Sequence, residues 1–290
     1  MSKLSQFFLT LVMAVAVAWG AVHFYPGHQT ETAAKEPVYA RVMRTGILRC
    51  GYLIYPPETI KDPNTGKLSG FIVEITEEAA RQLGWKVEWT AEVGFQDMFE
   101  GLKTGRYDAL CVGIYEKPDR AKQAMFTIPI DYGVTYTVVR ADDTRFDASL
   151  DLINDPKIKI AQIDGEISQV IAHEVFPKAE PYALSSLSDI SLIAEAVADR
   201  KADIGFMTIA NARTYMEHNP GKLKVLRKIP SRVYPSGLMA LPNGEYGLKY
   251  LIDATTRDLL ESHFVERTIR KYEPKLETYL MLAKPYEINQ

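Results

Sequence analysis

The chain has 290 residues, enough for two lobes with separate hydrophobic cores, and its 47% hydrophobic content is ordinary for a soluble globular protein. Its formal net charge of −3 comes with no Lys/Arg-rich block, so the electrostatic footprint of nucleic-acid binding is missing and no nucleic-acid partner is expected. His23, His28, His173, His218 and His263 never fall at metal-ligand spacing, and there is no HExxH, GxSxG, Walker A or GxGxxG pattern; no metal, cofactor or catalytic residue is expected.

The first element in chain order is an uncharged apolar run over residues 4–25, following Lys3. It fits a secretory signal with Ala18-Trp19-Gly20 as a small-residue cleavage site, and it is also nearly long enough to be an uncleaved membrane anchor. Either reading exports the folded part, to the periplasm or an equivalent extracytoplasmic space. Residues 26–44 read as a linker, polar and without periodicity at their start.

A first strand is expected over residues 47–52. A helix follows over 73–83, with Ile75, Ala79 and Leu83 at helical spacing and Gly84 just past its end. Residues 86–90 alternate as a strand, 96–103 carry Met98, Phe99 and Leu102 on one helical face, and 108–114 read as a buried strand. This β-α-β-α-β order implies a parallel sheet with right-handed crossovers.

The pattern recurs farther on. Residues 158–163 read as a strand, 168–175 and 188–200 as helices with Ser188 as an N-cap, and 202–207 as a strand. Asp108 and Asp203 occupy matching positions before the closing strands, so Gly113 matches Thr208, and both fall at strand carboxyl ends, where open α/β sheets bind ligands. Extended runs over 134–140 and 236–241 connect the lobes, and helix is expected over 248–260 and onward toward Leu282. The architecture implied is a hinged α/β clamshell: residues 45–133 and 237–290 form a discontinuous lobe 1, and 134–236 form lobe 2 with the hinge strands. Cys50 and Cys111 lie in strand-like runs, and parallel strands rarely offer disulfide geometry, so buried free thiols are expected.

Arg120 follows Pro118-Asp119 where a helix opens after the strand that ends near Gly113. A cation in a first helical turn meets the positive end of the helix dipole, so helix stability does not account for it. A guanidinium at that place can grip a carboxylate with two parallel hydrogen bonds.

Five motifs in order then resemble one family. These are Thr45-Gly46-Ile47-Leu48-Arg49-Cys50-Gly51, Tyr55-Pro56-Pro57, Gly66-Lys67-Leu68-Ser69-Gly70-Phe71, Leu102-Lys103-Thr104-Gly105-Arg106-Tyr107-Asp108-Ala109, and Pro118-Asp119-Arg120-Ala121-Lys122-Gln123. They resemble the family 3 extracellular solute-binding proteins, the periplasmic receptors of amino-acid ABC importers. The resemblance implies a type 2 periplasmic-binding fold, a small ligand bearing a carboxylate, a membrane permease as partner, and a monomer. It also implies Arg120 as the carboxylate clamp, Tyr55 as a stacking aromatic, Phe95 as an aromatic beside the cleft and Gly113 as a backbone contact.

Three departures bear on the ligand. Tyr115 stands where the family often has a small hydroxyl, Asp164-Gly165-Glu166-Ile167-Ser168 replaces a Gly-Thr-Thr turn, and Thr208 replaces the Asp that meets the ligand's ammonium. A neutral Thr cannot offset an ammonium in a closed cleft. Either Glu166, Asp164 or another carboxylate supplies the charge, or the ligand is no standard α-amino acid. The expected ligand contacts are Arg120, Tyr55, Phe95, Gly113, Tyr115, Glu166 and Thr208. Binding rather than catalysis is expected, with a cyclohexadienyl-dehydratase-like enzyme and a membrane-tethered sensor as the alternatives.

Overall fold

The computed structural model describes residues 36–226 and 230–283, together with Met13. The apolar run over 4–25 lies outside the described residues apart from Met13; among those described, no helix is long and apolar enough to cross a membrane.

Residues 38–44, expected as linker, are helical: α1 spans Val38–Thr45 and buries Val42. Its N-terminal amides at Val38 and Tyr39 donate to the Glu245 carboxylate at 2.7 and 2.9 Å. That acceptor is about two hundred positions away in sequence, so no local pattern announces the helix. Next come β1 (Ile47–Tyr52), a short hairpin of β2 (Ile60–Lys61) and β3 (Leu68–Ser69), then α2 (Phe71–Gln82) and β4 (Lys86–Glu92). Helix α2 turns Phe71, Ile72, Ile75 and Ala79 into the core, and β4 alternates along its length as an edge strand does.

The expected helix over 96–103 shortens to α3 (Glu100–Thr104), and the expected strand over 108–114 breaks into β5 (Ala109–Leu110) and β6 (Ile114–Tyr115). The one-turn α4 (Pro118–Ala121), β7 (Met125–Phe126) and the long β8 (Pro129–Arg140) complete the outward path. The second half contains β9 (Lys159–Ile163), α5 (Ile167–Val175), β10 (Glu180–Leu184), α6 (Ser191–Ala198), β11 (Ile204–Thr208), α7 (Ile209–His218) and β12 (Leu223–Leu226). Ser188 does not cap α6; the Asp189 carboxylate accepts the Ser191 amide at 2.8 Å instead. The chain returns through β13 (Arg232–Gly237) and β14 (Ala240–Leu241), where one extended run over 236–241 was expected. Helices α8 (Tyr246–Glu261) and α9 (Phe264–Tyr272) follow, but helix does not persist toward Leu282: β15 (Tyr279–Met281) pairs with β8.

One sheet has the order β4-β1-β5-β14-β7, and the other runs β10-β9-β11-β8-β13-β6 with β12 and β15 also on β8. Strands β4, β1 and β5 are mutually parallel, as are β10, β9 and β11. Each sheet buries an apolar cluster on either side, Ile72, Ile75 and Ile252 against Met98, Leu102 and Phe126 in the first, Ile193 and Val197 against Ile171 and Phe206 in the second.

The repetition of Asp108 and Asp203 has a physical basis. Each accepts the amide of the neighbouring strand's first residues, Asp108 from Arg49 at 2.7 Å and Asp203 from Lys159 at 2.9 Å. Each is also clamped by two arginines, Arg41 and Arg49 in one lobe, Arg140 and Arg145 in the other. These carboxylates fix strand order and lie away from the cleft ends of their strands.

Cys50 and Cys111 are disulfide-bonded, contrary to the expectation of free thiols. The β1–β5 ladder ends at Leu110, so Cys111 lies past the regular strand and its Cα comes within 5.5 Å of that of Cys50. The geometric objection applies inside a parallel ladder and lapses one residue beyond it.

Candidate functional site

Strand β6 and helix α4 place Tyr115 and Arg120 on one wall of a cleft between the halves. Arg120 is buried, its guanidinium carbon 4.0 Å from the Tyr115 ring centroid, and its Nη2 donates to the Gly165 carbonyl at 2.9 Å. Stacking on an aromatic face fixes the plane of the guanidinium and leaves its remaining donors directed by that plane. The same wall carries Tyr55, in the turn that contains the cis Pro56-Pro57 bond, with its ring edge-on to Phe95 at 6.1 Å between centroids.

From the facing half, Glu166 caps α5: its Oε2 accepts the Ser168 amide at 2.6 Å, and the Tyr55 hydroxyl approaches Oε1 at 3.5 Å. The Phe95 amide donates to the Ser186 carbonyl at 3.2 Å, so the lobes also meet through backbone. Between them is a cavity lined among others by Leu53, Glu58, Met98, Val112, Gly113 and Tyr234.

Of the expected contacts, Tyr55, Phe95, Gly113, Tyr115, Arg120 and Glu166 line this cavity together. Thr208 does not. Its hydroxyl caps α7, accepting the Asn211 amide at 3.3 Å and the Asn211 side-chain amide at 3.0 Å, so its bonding is spent on the helix end. Asp164 faces a neighbouring groove with Gln169 and Lys117, and Glu74 bonds Lys271 and Tyr272.

Burial dominates the electrostatics. It pushes the Glu166 carboxyl up, while the Ser168 and Ile167 donors and the charge of Arg120 hold it back. It lifts the Tyr115 phenol to about 12 against the pull of Arg120. The Glu58 carboxyl is driven well above its ordinary range, first by burial and then by the charge of Asp131. Asp131 is itself pushed up to about 8 by burial and the charge of Glu273.

Compared with known proteins, residues 48–275 match the family model described as bacterial extracellular solute-binding proteins, family 3. The chain belongs to the family 3 extracellular solute-binding proteins. A probable amino-acid ABC transporter-binding protein from Haemophilus influenzae is 33% identical over 49% of this chain and 53% of its own length. The L-cystine-binding protein TcyA of Bacillus subtilis is 31% identical over 46% of this chain and 47% of its own. The chain thus spans about half the length of these curated relatives. Among solved structures, the ancestral amino-acid-binding protein AncCDT-1, a precursor of cyclohexadienyl dehydratase, superposes with a TM-score of 0.69 at 24% identity over 80% of this chain and 97% of its own. A cysteine-binding protein from Campylobacter jejuni does so at 0.69 and 18% identity, over 82% and 93%. At such identities the likeness shows the fold, a type 2 periplasmic-binding clamshell.

For this family 3 protein, sequence reasoning passed over Glu58, Asp131 and Tyr234. Glu58 directly follows the Tyr55-Pro56-Pro57 turn, and an acid so placed beside a cleft aromatic was the available signal. Asp131 and Tyr234 lie on β8 and β13, just before the runs 134–140 and 236–241 that were read as connections. Their period-2 alternation says that each has a face but not what that face meets.

Proposed function

We propose that the chain is an extracytoplasmic receptor that captures a small carboxylate-bearing metabolite, an amino acid or related organic acid, by lobe closure. It delivers this solute to the membrane permease of an ABC importer and acts as a monomer. Arg120 carries the reading: a buried guanidinium, 4.0 Å over the Tyr115 ring, on the wall of a cavity lined by acidic, aromatic and aliphatic side chains. Tyr55 and Phe95 supply apolar cover, and Gly113 lines the cavity beside them. Closure adds Glu166, so full affinity belongs to the closed state and ligand shifts the open–closed balance by its differential affinity. The amino-acid-binding and cystine-binding names of its relatives agree with this class.

Native mass spectrometry of the purified protein should reveal a co-purified solute with a carboxylate. Arg120→Ala should then weaken its binding by roughly a hundredfold or more, the effect of removing one side of a buried charge pair. Undiminished affinity would sink the assignment.

A second reading, a dehydratase on the same scaffold, draws on the buried Glu166 carboxyl, which holds its proton more tightly than an exposed acid does. Consumption of a cyclohexadienyl substrate supports it; tight binding without turnover retires it.

A further inference from the structure

The cleft holds more buried acids than Arg120 can pair. Glu166 has its capping donors and the nearby Arg120, so its charge is accounted for. Glu58 and Asp131 differ: burial and other carboxylates raise both, only the Tyr279 hydroxyl and the Gly113 amide hold Glu58 back, and no lysine or arginine is among the groups that set their ionisation.

The hinge sheet brings these two acids together. Asp131 on β8 pairs with Ser236 on β13, and Gly133 pairs with Tyr234 on β13 and Tyr279 on β15. Cross-strand partners share a face, so Asp131, Ser236, Tyr234 and Tyr279 project to the same side. Glu58 meets that side from lobe 1: a Cβ on Gly113 would lie 2.3 Å from Glu58 Oε2 and 3.2 Å from Ser236 Oγ. Glycine at 113 is what lets the Glu58 carboxylate lie so close. Asp131 is 1% exposed and Tyr279 2%, and both oxygens of Asp131 and the hydroxyl of Tyr279 lack hydrogen-bond partners. The Tyr279 hydroxyl is close enough to Glu58 to hold its carboxyl back somewhat. Native interiors rarely leave three such atoms unsatisfied in one place.

We propose that Glu58, backed by Asp131 and ringed by the hydroxyls of Tyr234 and Tyr279, forms a cation subsite at the hinge end of the cleft. The solute therefore carries an ammonium or guanidinium there in addition to the carboxylate met by Arg120. Glu58 lines the cavity and makes the contact. Asp131, behind it, is a second acid that gives up its proton when the cation arrives, and so favours the cation without touching the solute. This subsite takes a cation beyond any α-ammonium that the solute carries. It rests on the reading of the cleft as a solute-binding site.

Titration calorimetry tests it on the full chain with L-arginine, L-lysine, their uncharged counterparts L-citrulline and L-norleucine, and agmatine, which lacks the carboxylate. At least one cationic amino acid should bind, and its uncharged counterpart should bind roughly tenfold to a hundredfold more weakly. Glu58→Gln should erase that preference, bringing the two affinities together, with circular dichroism confirming the fold. Repeating the titration in phosphate and in Tris should reveal protons released on binding, fewer in Asp131→Asn. Failure of every cationic probe to bind overturns the subsite, as does a cationic preference that survives Glu58→Gln. Binding of agmatine that equals that of L-arginine upholds the subsite but defeats the Arg120–carboxylate reading. Equal binding of charged and uncharged amino acids, lost in Arg120→Ala, does the reverse.

Discussion

Asp131 is a carboxyl placed where its charge is costly, and the pH dependence of folding should report it. Glu58 faces it from the turn after β1, Glu273 from beyond α9, and Tyr234 and Tyr279 from β13 and β15. Its ordinary value is 3.8, and burial lifts it to about 8 in the folded protein. Between those values the folded state binds a proton that the unfolded chain releases, so stability rises as pH falls through the window. The salt-bridged Asp143 and Asp203 are shifted the other way, and their contribution is lost as the medium becomes strongly acidic. Thermal unfolding should therefore give a higher Tm near pH 5 than near pH 8. Asp131→Asn should narrow that difference, since it removes a pH-linked contribution on the order of a few kcal/mol. A variant with the wild-type profile would mean that Asp131 is ionised in the native state. Arg120 was legible in the sequence because its place in a helix turn had no structural motive and its neighbours matched a motif. Asp131 was not, because one acid in an alternating strand looks the same whether that face meets water or a buried cleft.

At the scale of elements, legibility followed length and periodicity. Helices α2 and α8, with apolar residues at helical spacing over 12 and 16 residues, stand close to where the sequence puts them. The five-residue α3 and the two-residue β5 were over-extended, since apolar residues that cover a core do not need regular hydrogen bonding to do so. Thr208 shows the same limit: its position at a strand end was read correctly, but its service as the cap of α7 depends on the local backbone. The Cys50–Cys111 bridge ties β1 to the segment past β5, across a sequence separation of 61 residues. In the chain-entropy picture, closing a loop of that size stabilises the fold by about 4 kcal/mol. Reduction should lower the unfolding midpoint in urea, and the double variant Cys50→Ala/Cys111→Ala should start low and ignore reductant. An equal midpoint with and without reductant would mean that the bridge constrains nothing.

For the whole molecule, the two-lobed plan was legible from the repeat itself, whereas the closed contact between lobes was not, because backbone atoms of Gly165, Phe95 and Ser186 make part of it. Gly165 sits at that contact with φ +81, its carbonyl accepting Arg120. A Cβ on it would lie 2.8 Å from the Phe95 carbonyl and 2.9 Å from the Gln96 amide nitrogen, across the cleft. Those are backbone atoms and cannot swing aside as a side chain would. Gly165→Ala therefore adds two penalties: the strain of a positive φ, present in both open and closed forms, and a collision present in the closed form alone. Gly221 isolates the first: its φ is +77, and nothing lies within 4 Å of a Cβ placed there. Both variants should lose a similar amount of thermal stability, about 1 kcal/mol. Gly165→Ala should in addition lose solute affinity and, by small-angle scattering, remain expanded when solute is added, while Gly221→Ala compacts as wild type does. If the two variants bind alike, closure does not bring Gly165 against Phe95 and the affinity of this receptor is made within one lobe.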